Sequence, residues 1–177
     1  MNDWQPTSSH DSRIARANLL RSIRHFFYTR DVLEVETPLL SSGTVTDEHL
    51  DAFLTKFNHS QDGAPVDLYL QTSPEFAMKR LLCGQSGAIY QICKAFRHEG
   101  EGRWHNPEFT MLEWYRLGWS LSQLMDEVAT IVHQSLETRW PRLPVLHFSY
   151  AEAMQRFVDI DVHRATDSEL ALSLIHI

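Results

Sequence analysis

Apolar positions fall into two rhythms along the chain. Leu19, Leu20, Ile23, Phe26 and Phe27 recur at helical spacing, with Arg16, Arg21 and Arg24 elsewhere on the wheel. The spacing predicts a helix after a polar lead over residues 1–12, stopping near Asp31. The run "VLEVETPLL" alternates briefly and ends at Pro38, as an exposed or edge strand does. "SSGTVTDEH" has loop composition, and "AFLTKF" and "VDLYLQ" read as two strands across the turn-rich "NHSQDGAP". "TSPEFAMKRLL" predicts a helix with Ser73 as N-cap, Pro74 first and Glu75 at the positive end of the dipole. Gly84 falls where a C-terminal cap belongs.

"AIYQICKAFRHE" then reads as strand, "GEGRWHNP" as loop and "EFTMLEWYRL" as a second strand. A helix should open at Ser120, with Gln123 at capping-box spacing. Its predicted apolar stripe is Leu121, Leu124, Met125, Val128, Ile131, Val132 and Leu136, and Pro141 and Pro144 end it. "LHFSYAEAMQRFV" suggests a short strand, then a short helix. The final "LALSLIHI" is apolar, uncapped and stops in mid-pattern, so the expectation is a chain cut short there. With no repeat or linker and with short turns between strands, the expected class is α+β, an antiparallel sheet flanked by helices in one domain over residues 1–177.

At 177 residues the chain has room for a hydrophobic core; 43% of it is apolar and 22% charged. The net charge of −7 argues against a broad phosphate-binding face, though not against a local basic cleft. Cys83 and Cys93 form no CxxC pair and read as buried thiols of a reducing compartment. The start lacks the apolar core of a signal peptide and no apolar run is long enough to cross a bilayer, so a cytoplasmic location is expected.

Charge is concentrated in "CKAFRHEGEGRWHNPEFTMLEWY", residues 93–115, between segments that read as strand. Were Ala95–Glu99 and Phe109–Tyr115 antiparallel neighbours, Arg97 and Glu99 would share one face. Met111, Glu113 and Tyr115 would share a face of the second strand, and Leu112 and Trp114 the other. Three readings stand at this level. Arg97 could pair with Glu113 across the strands, an interaction of about 0.2–1 kcal/mol. His98, His105 and Glu101 could hold a metal, although their spacing fits no zinc pattern. Or the hairpin could bind a nucleotide: Arg97 grips a phosphate by two hydrogen bonds, Arg103, His105 and Asn106 cover the rest, and Glu99 accepts from an adenine amino group. Glu75, Glu113 and Tyr115 would then meet a cationic substrate. No P-loop or GxGxxG is present.

The segments "FRHEG" and "RWHNPEFTMLEWY" resemble motif 2 of class II aminoacyl-tRNA synthetases in its lysine-specific form. "FYTRDVLEVETPLL" resembles motif 1, whose proline lies at a dimer interface, and "TSPEFAMKRLL" resembles the segment between them. The similarity covers roughly Ile14 to Leu121. Motif 1 begins near Val32, too early for an anticodon-binding barrel before it, and "TVTDEHL", "TSPE" and "LEWY" resemble the stand-alone elongation factor P lysine ligases. That family activates lysine, preferably (R)-β-lysine, with ATP and joins it to a lysine of elongation factor P.

The resemblance implies a class II catalytic domain that is C-terminally incomplete: motif 3 and the acidic ligands of Mg2+ should lie beyond residue 177. Such a chain is expected to release little pyrophosphate by itself. It also implies roles. Arg97 orients and neutralises the substrate carboxylate and α-phosphate; His98, Glu99 and Asn106 meet ATP, with Arg103 and His105 as further phosphate contacts. Ser73, Pro74, Glu75, Glu113 and Tyr115 form the lysine pocket. A homodimer through motif 1 is expected; tRNA and membranes are not expected partners. The alternatives are a tRNA-charging enzyme without its own anticodon domain, and a non-catalytic module that binds an amino acid or a partner.

Overall fold

A computed structural model describes residues 4–58, 63–98, 102–136 and 144–175, and residues 4–136 and 144–175 fall in two compact units. In the first, α1 (His10–Tyr28) is followed by β1 (Leu33–Glu34), β2 (Leu40–Ser41), β3 (Leu54–Phe57), β4 (Val66–Leu70), α2 (Glu75–Cys83), β5 (Ile89–Phe96), β6 (Glu108–Tyr115) and α3 (Leu121–Leu136). The second holds α4 (Tyr150–Val158) and α5 (Asp167–Ile175).

The strands form two three-stranded sheets, ordered β1-β5-β6 and β2-β4-β3. All pairings are antiparallel except β1 on β5, which is parallel, so the expected antiparallel character holds with one exception. Backbone bonds tie the C-terminal end of β5 to the second sheet: Phe96 N–H donates to Gln71 O at 2.9 Å, and His98 N–H to Asp51 O at 2.8 Å.

The core follows from period-2 alternation. β5 and β6 pair Tyr90 with Trp114 and Ile92 with Leu112, and these four side chains share the face that meets the helices. There Phe26, Phe27, Val32, Tyr90 and Ile131 form the buried cluster. Phe27 stacks on Tyr90 at 4.4 Å between ring centroids and sits edge-on to Phe26 at 5.2 Å. Two consecutive buried phenylalanines fit because α1 packs both on the sheet, where Phe27 meets Tyr90 and Trp114, and on α3. α1 begins at its N-cap Ser9, whose hydroxyl accepts from Ser12 N–H, earlier than the polar lead suggested. It ends before Asp31, which takes a left-handed φ of 52°.

Several expectations shift. Pro74, not Ser73, is the N-cap of α2, and Ser73 Oγ accepts only a 3.4 Å contact from Glu75 N–H. Gly84 caps α2, but Gln85 carries the left-handed φ of 62°. Strand structure resumes after Pro38, at β2. No strand forms over residues 146–149; Ser149 instead enters a reciprocal capping box with Glu152 that starts α4. Cys83 is exposed at the end of α2 and Cys93 is half-buried, so neither is the buried thiol expected. The capping box at Ser120 and Gln123 forms as predicted. The stripe of α3 does not turn inward as a whole, however: Leu121, Met125, Val128 and Val132 stay exposed, while Glu127 and Ile131 are buried. Arg116 is the reason, because it draws the Glu127 carboxylate into the protein. Pro141 lies outside the described residues. Among those residues, no helix is long and apolar enough to cross a membrane.

Candidate active site

The face of β5 and β6 opposite the core carries the candidate chemistry. Gln91 pairs with Glu113, Cys93 with Met111 and Ala95 with Phe109, and Arg97 continues the strand, its N–H donating to Pro107 O at 3.0 Å. The predicted alternation is observed: Leu112 and Trp114 face the core, which puts Met111, Glu113 and Tyr115 on the other side. The cross-strand ion pair does not survive the register. Gln91 stands opposite Glu113, and Arg97 lies six positions further along, about 20 Å at the rise of a strand.

The face is therefore polarised. At one end the Arg97 guanidinium lies over the Phe109 ring, 5.3 Å from its centroid. Its Nε is buried and has no hydrogen-bond partner among the described residues. An unpaired buried donor costs about 1–3 kcal/mol, more when charged. The arrangement suits an oxyanion, and so fits the phosphate end of ATP.

At the other end stand acids. Tyr115 Oη donates to Glu113 Oε1 at 2.7 Å. Burial raises the carboxyl pKa of Glu113; the Tyr115 hydrogen bond opposes that, the nearby Glu75 charge adds to it and Lys79 opposes it. Burial also pushes up the Tyr115 hydroxyl, helped by its bond to Glu113 and by the charges of Glu113 and Glu75. The charges named come from the start of α2 and the end of β6. Glu75 is paired with Lys79 at 2.5 Å, four residues along the helix, and Pro74 is fully buried beneath it. Ser73 is half-buried beside them. At the acidic end, opposite Glu113, Thr37 Oγ1 donates to Gln91 Oε1 at 3.0 Å in a buried pair, and further along the strand the Gln71 amide donates to Lys94 O at 2.7 Å.

Not every predicted residue joins this face. The His98 N–H is committed to Asp51 O, and its ring sits edge-on to Phe53 at 4.9 Å. Arg103, His105 and Asn106 are exposed in the hairpin loop, where Gly102 and His105 exchange two 3.2 Å backbone bonds and Arg103 lies over the Trp104 ring at 4.8 Å. Glu99 and Glu101 lie outside the described residues. Among those residues no group of three or more His, Cys, Asp or Glu side chains is arranged to hold a metal. They form no magnesium site. Lys79, Gln71 and Gln91 are site neighbours missed from sequence; the i, i+4 spacing of Glu75 and Lys79 was the available signal for the first.

The family model described as class II tRNA synthetases (D, K and N) matches residues 3–170. The chain belongs to this family. Similar relatives include the elongation factor P–(R)-β-lysine ligase of Erwinia tasmaniensis, 48% identical over 167 residues, which are 94% of this chain and 50% of that protein. Proteins of the same name from Pseudoalteromonas translucida and Salmonella arizonae are 47% and 46% identical, with 96% and 94% of this chain covered, and 51% and 50% of theirs. The chain thus spans about half the length of these curated relatives. Membership in the class II family agrees with the sheet-and-helix architecture, and the lettering D, K and N admits a lysine-specific member.

Proposed function

We propose that the protein acts in ATP-dependent activation of lysine, (R)-β-lysine foremost, and in its transfer to a lysine side chain of elongation factor P. The observation that carries this reading is the polarised face, with a guanidinium nitrogen unpaired among the described residues at one end and Glu113, bonded by Tyr115, at the other. The names of the relatives support it. In the first step a carboxylate oxygen of the amino acid attacks the α-phosphorus of ATP, the bond to the bridging oxygen breaks, and pyrophosphate leaves. Arg97 holds the two anions together and meets charge growing on the α-phosphate oxygens. Glu99, the His98 carbonyl and Asn106 serve the adenine and ribose end, and Arg103 and His105 the outer phosphates. In the second step the target amine attacks the acyl carbon, AMP leaves, and the amine gives up a proton.

Glu75, Glu113 and Tyr115 meet the substrate's ammonium groups, with Ser73 and Pro74 shaping the wall. A charge-assisted hydrogen bond contributes about 1.5–3 kcal/mol, so two contacts discriminate against a neutral amino acid by roughly a thousandfold. A homodimer is part of this reading, supported by exposed Tyr28, Leu33, Leu39 and Leu40 around the motif 1 segment; so is a cytoplasmic location.

The test supplies the full-length protein with ATP and labelled (R)-β-lysine, together with either purified elongation factor P or tRNA. Label on elongation factor P is the expected result. Label found only in RNA would overturn the reading in favour of tRNA charging. A pH dependence follows from Glu113. Its carboxylate must be ionised to hold an ammonium, and its pKa lies above the ordinary value, so lysine binding should begin to weaken at a higher pH than a normal glutamate would dictate. Glu113→Gln should weaken binding and abolish that limb. A lysine KM that stays flat down to about pH 4.3, the ordinary glutamate range, would show that Glu113 is not a ligand.

A further inference from the structure

Thr37 and Gln91 are both buried, at 7% and 2% exposure, and Thr37 Oγ1 donates to Gln91 Oε1 at 3.0 Å. A polar group so buried needs a protein partner, because water is not there to supply one. Gln91 is also the cross-strand partner of Glu113, on the face opposite the core. The Thr37 hydroxyl therefore reaches the floor of the site directly opposite the acid proposed to meet an ammonium. The segment carrying Thr37 crosses from one sheet to the other. Its backbone first follows β5: Leu33 N–H donates to Ala88 O at 3.0 Å, and Val35 N–H to Tyr90 O at 2.9 Å. No backbone bond joins residues 36–38 to β5. The segment next meets the end of β4, where Gln71 N–H donates to Leu39 O at 2.9 Å. Between these anchors the Thr37 hydroxyl makes the bond to β5. Gln71 leads through buried Thr72 into Ser73, Pro74 and Glu75. Its carbonyl accepts from Phe96 N–H at 2.9 Å, which pins this run at the Arg97 end. Thr37 supplies a second pin at the Glu113 end.

We propose that the Thr37–Gln91 bond is the joint that sets the wall of the lysine pocket, Ser73 to Glu75, against its floor at Glu113, which makes both positioning residues for the substrate's ammonium. This rests on the lysine reading above and deepens it. The two side chains act through the residues they hold. A hydroxyl matched to a buried amide carbonyl admits one placement of the segment, since any other strands the carbonyl. The separate pin at Phe96 leaves Arg97 out of this joint, so the joint bears on lysine binding and not on the phosphate end.

The ordinary account of a buried Thr–Gln pair is stability alone. The two accounts differ in the lysine KM. In the full-length protein, Thr37→Val keeps the side chain's shape and deletes the donor. It should raise the lysine KM about tenfold through misplacement of the wall, with kcat and the KM for ATP within about twofold of the parent. Thr37→Ser keeps the donor and should stay within about threefold of the parent in lysine KM. Thr37→Val combined with Gln91→Met removes both polar partners, so no carbonyl is left stranded and the melting temperature should return toward the parent's. The joint is still missing, so the lysine KM, measured below the melting transition, should stay raised. Stability alone predicts that KM recovers with melting temperature. The double variant also carries the test if Thr37→Val does not fold. A lysine KM within about twofold of the parent in the double variant, or an equal rise in the KM for ATP, overturns the proposal. Glu113→Gln separates the two levels. If it weakens lysine binding while the double variant binds lysine like the parent, only the joint fails. If Glu113→Gln binds lysine like the parent, the lysine pocket itself is misplaced, and the joint falls with it.

Discussion

Replacing Arg97 by alanine is expected to reduce lysine-dependent ATP–pyrophosphate exchange by about a hundred- to a thousandfold, the usual consequence of deleting one preorganised donor at a developing oxyanion. Arg97 is fixed by its place: its backbone N–H closes the ladder with Pro107 O, and its guanidinium lies over the Phe109 ring. With Nε unpartnered among the described residues, alanine breaks no hydrogen bond of that nitrogen within them, so the melting temperature should move little while the rate collapses. The loss should appear in kcat more than in the KM for lysine, since the charge that Arg97 meets is largest in the transition state. Arg97→Lys should recover only part of the rate, because an ammonium is a point charge without the two-pronged geometry. A loss below about fivefold, roughly 1 kcal/mol, would place Arg97 away from the phosphate.

The alternation of residues 111–115 was readable because a strand has a period of two, and one known buried residue fixes the face of all the others. The distance between Arg97 and Glu113 was not readable. It depends on the pairing of Phe96 with Glu108, which the hairpin loop sets, and spacing alone allowed an ion pair that the register forbids. Ser73 and Pro74 differ by one position as caps, and helix ends are not resolved that finely by composition. The segment at Leu146 and Phe148 has strand-like residues, but Ser149 is taken up by its capping box and no strand among the described residues pairs with it. The periodicity of α3 showed a stripe without its outcome, because the side that turns inward is chosen by a charge, Glu127, that pattern reading assigns to solvent. The family resemblance supplied what local rules could not: separate proposed roles for Arg97 and Glu113, which the register sets at opposite ends of one face.

That buried charge leads to the largest expected stability effect. Glu127 and Arg116 have side-chain exposures of only 4% and 8%. The Glu127 carboxylate accepts from Arg116 Nε at 3.1 and 3.0 Å, from Arg116 Nη2, and from Trp114 Nε1 at 3.0 Å. The guanidinium also lies over the Trp119 ring at 4.5 Å. Glu127→Ala leaves a buried cation and an indole N–H without their acceptor, and should cost about 3–5 kcal/mol, lowering the melting temperature by roughly 6–20 °C. Glu127→Gln keeps an acceptor but no charge and should fall between. Because the penalty comes from the orphaned partner, the double variant Glu127→Leu with Arg116→Met should recover most of the loss. A cost below about 1 kcal/mol for Glu127→Ala would mean that Arg116 reaches water when released, as an exposed ion pair does. The same contact bears on the site: Trp114 stands between Glu113 and Tyr115 on β6, and its indole is held by Glu127. Below its melting transition Glu127→Ala should therefore also raise the lysine KM, whereas a ligation defect confined to Arg97 would leave it unchanged.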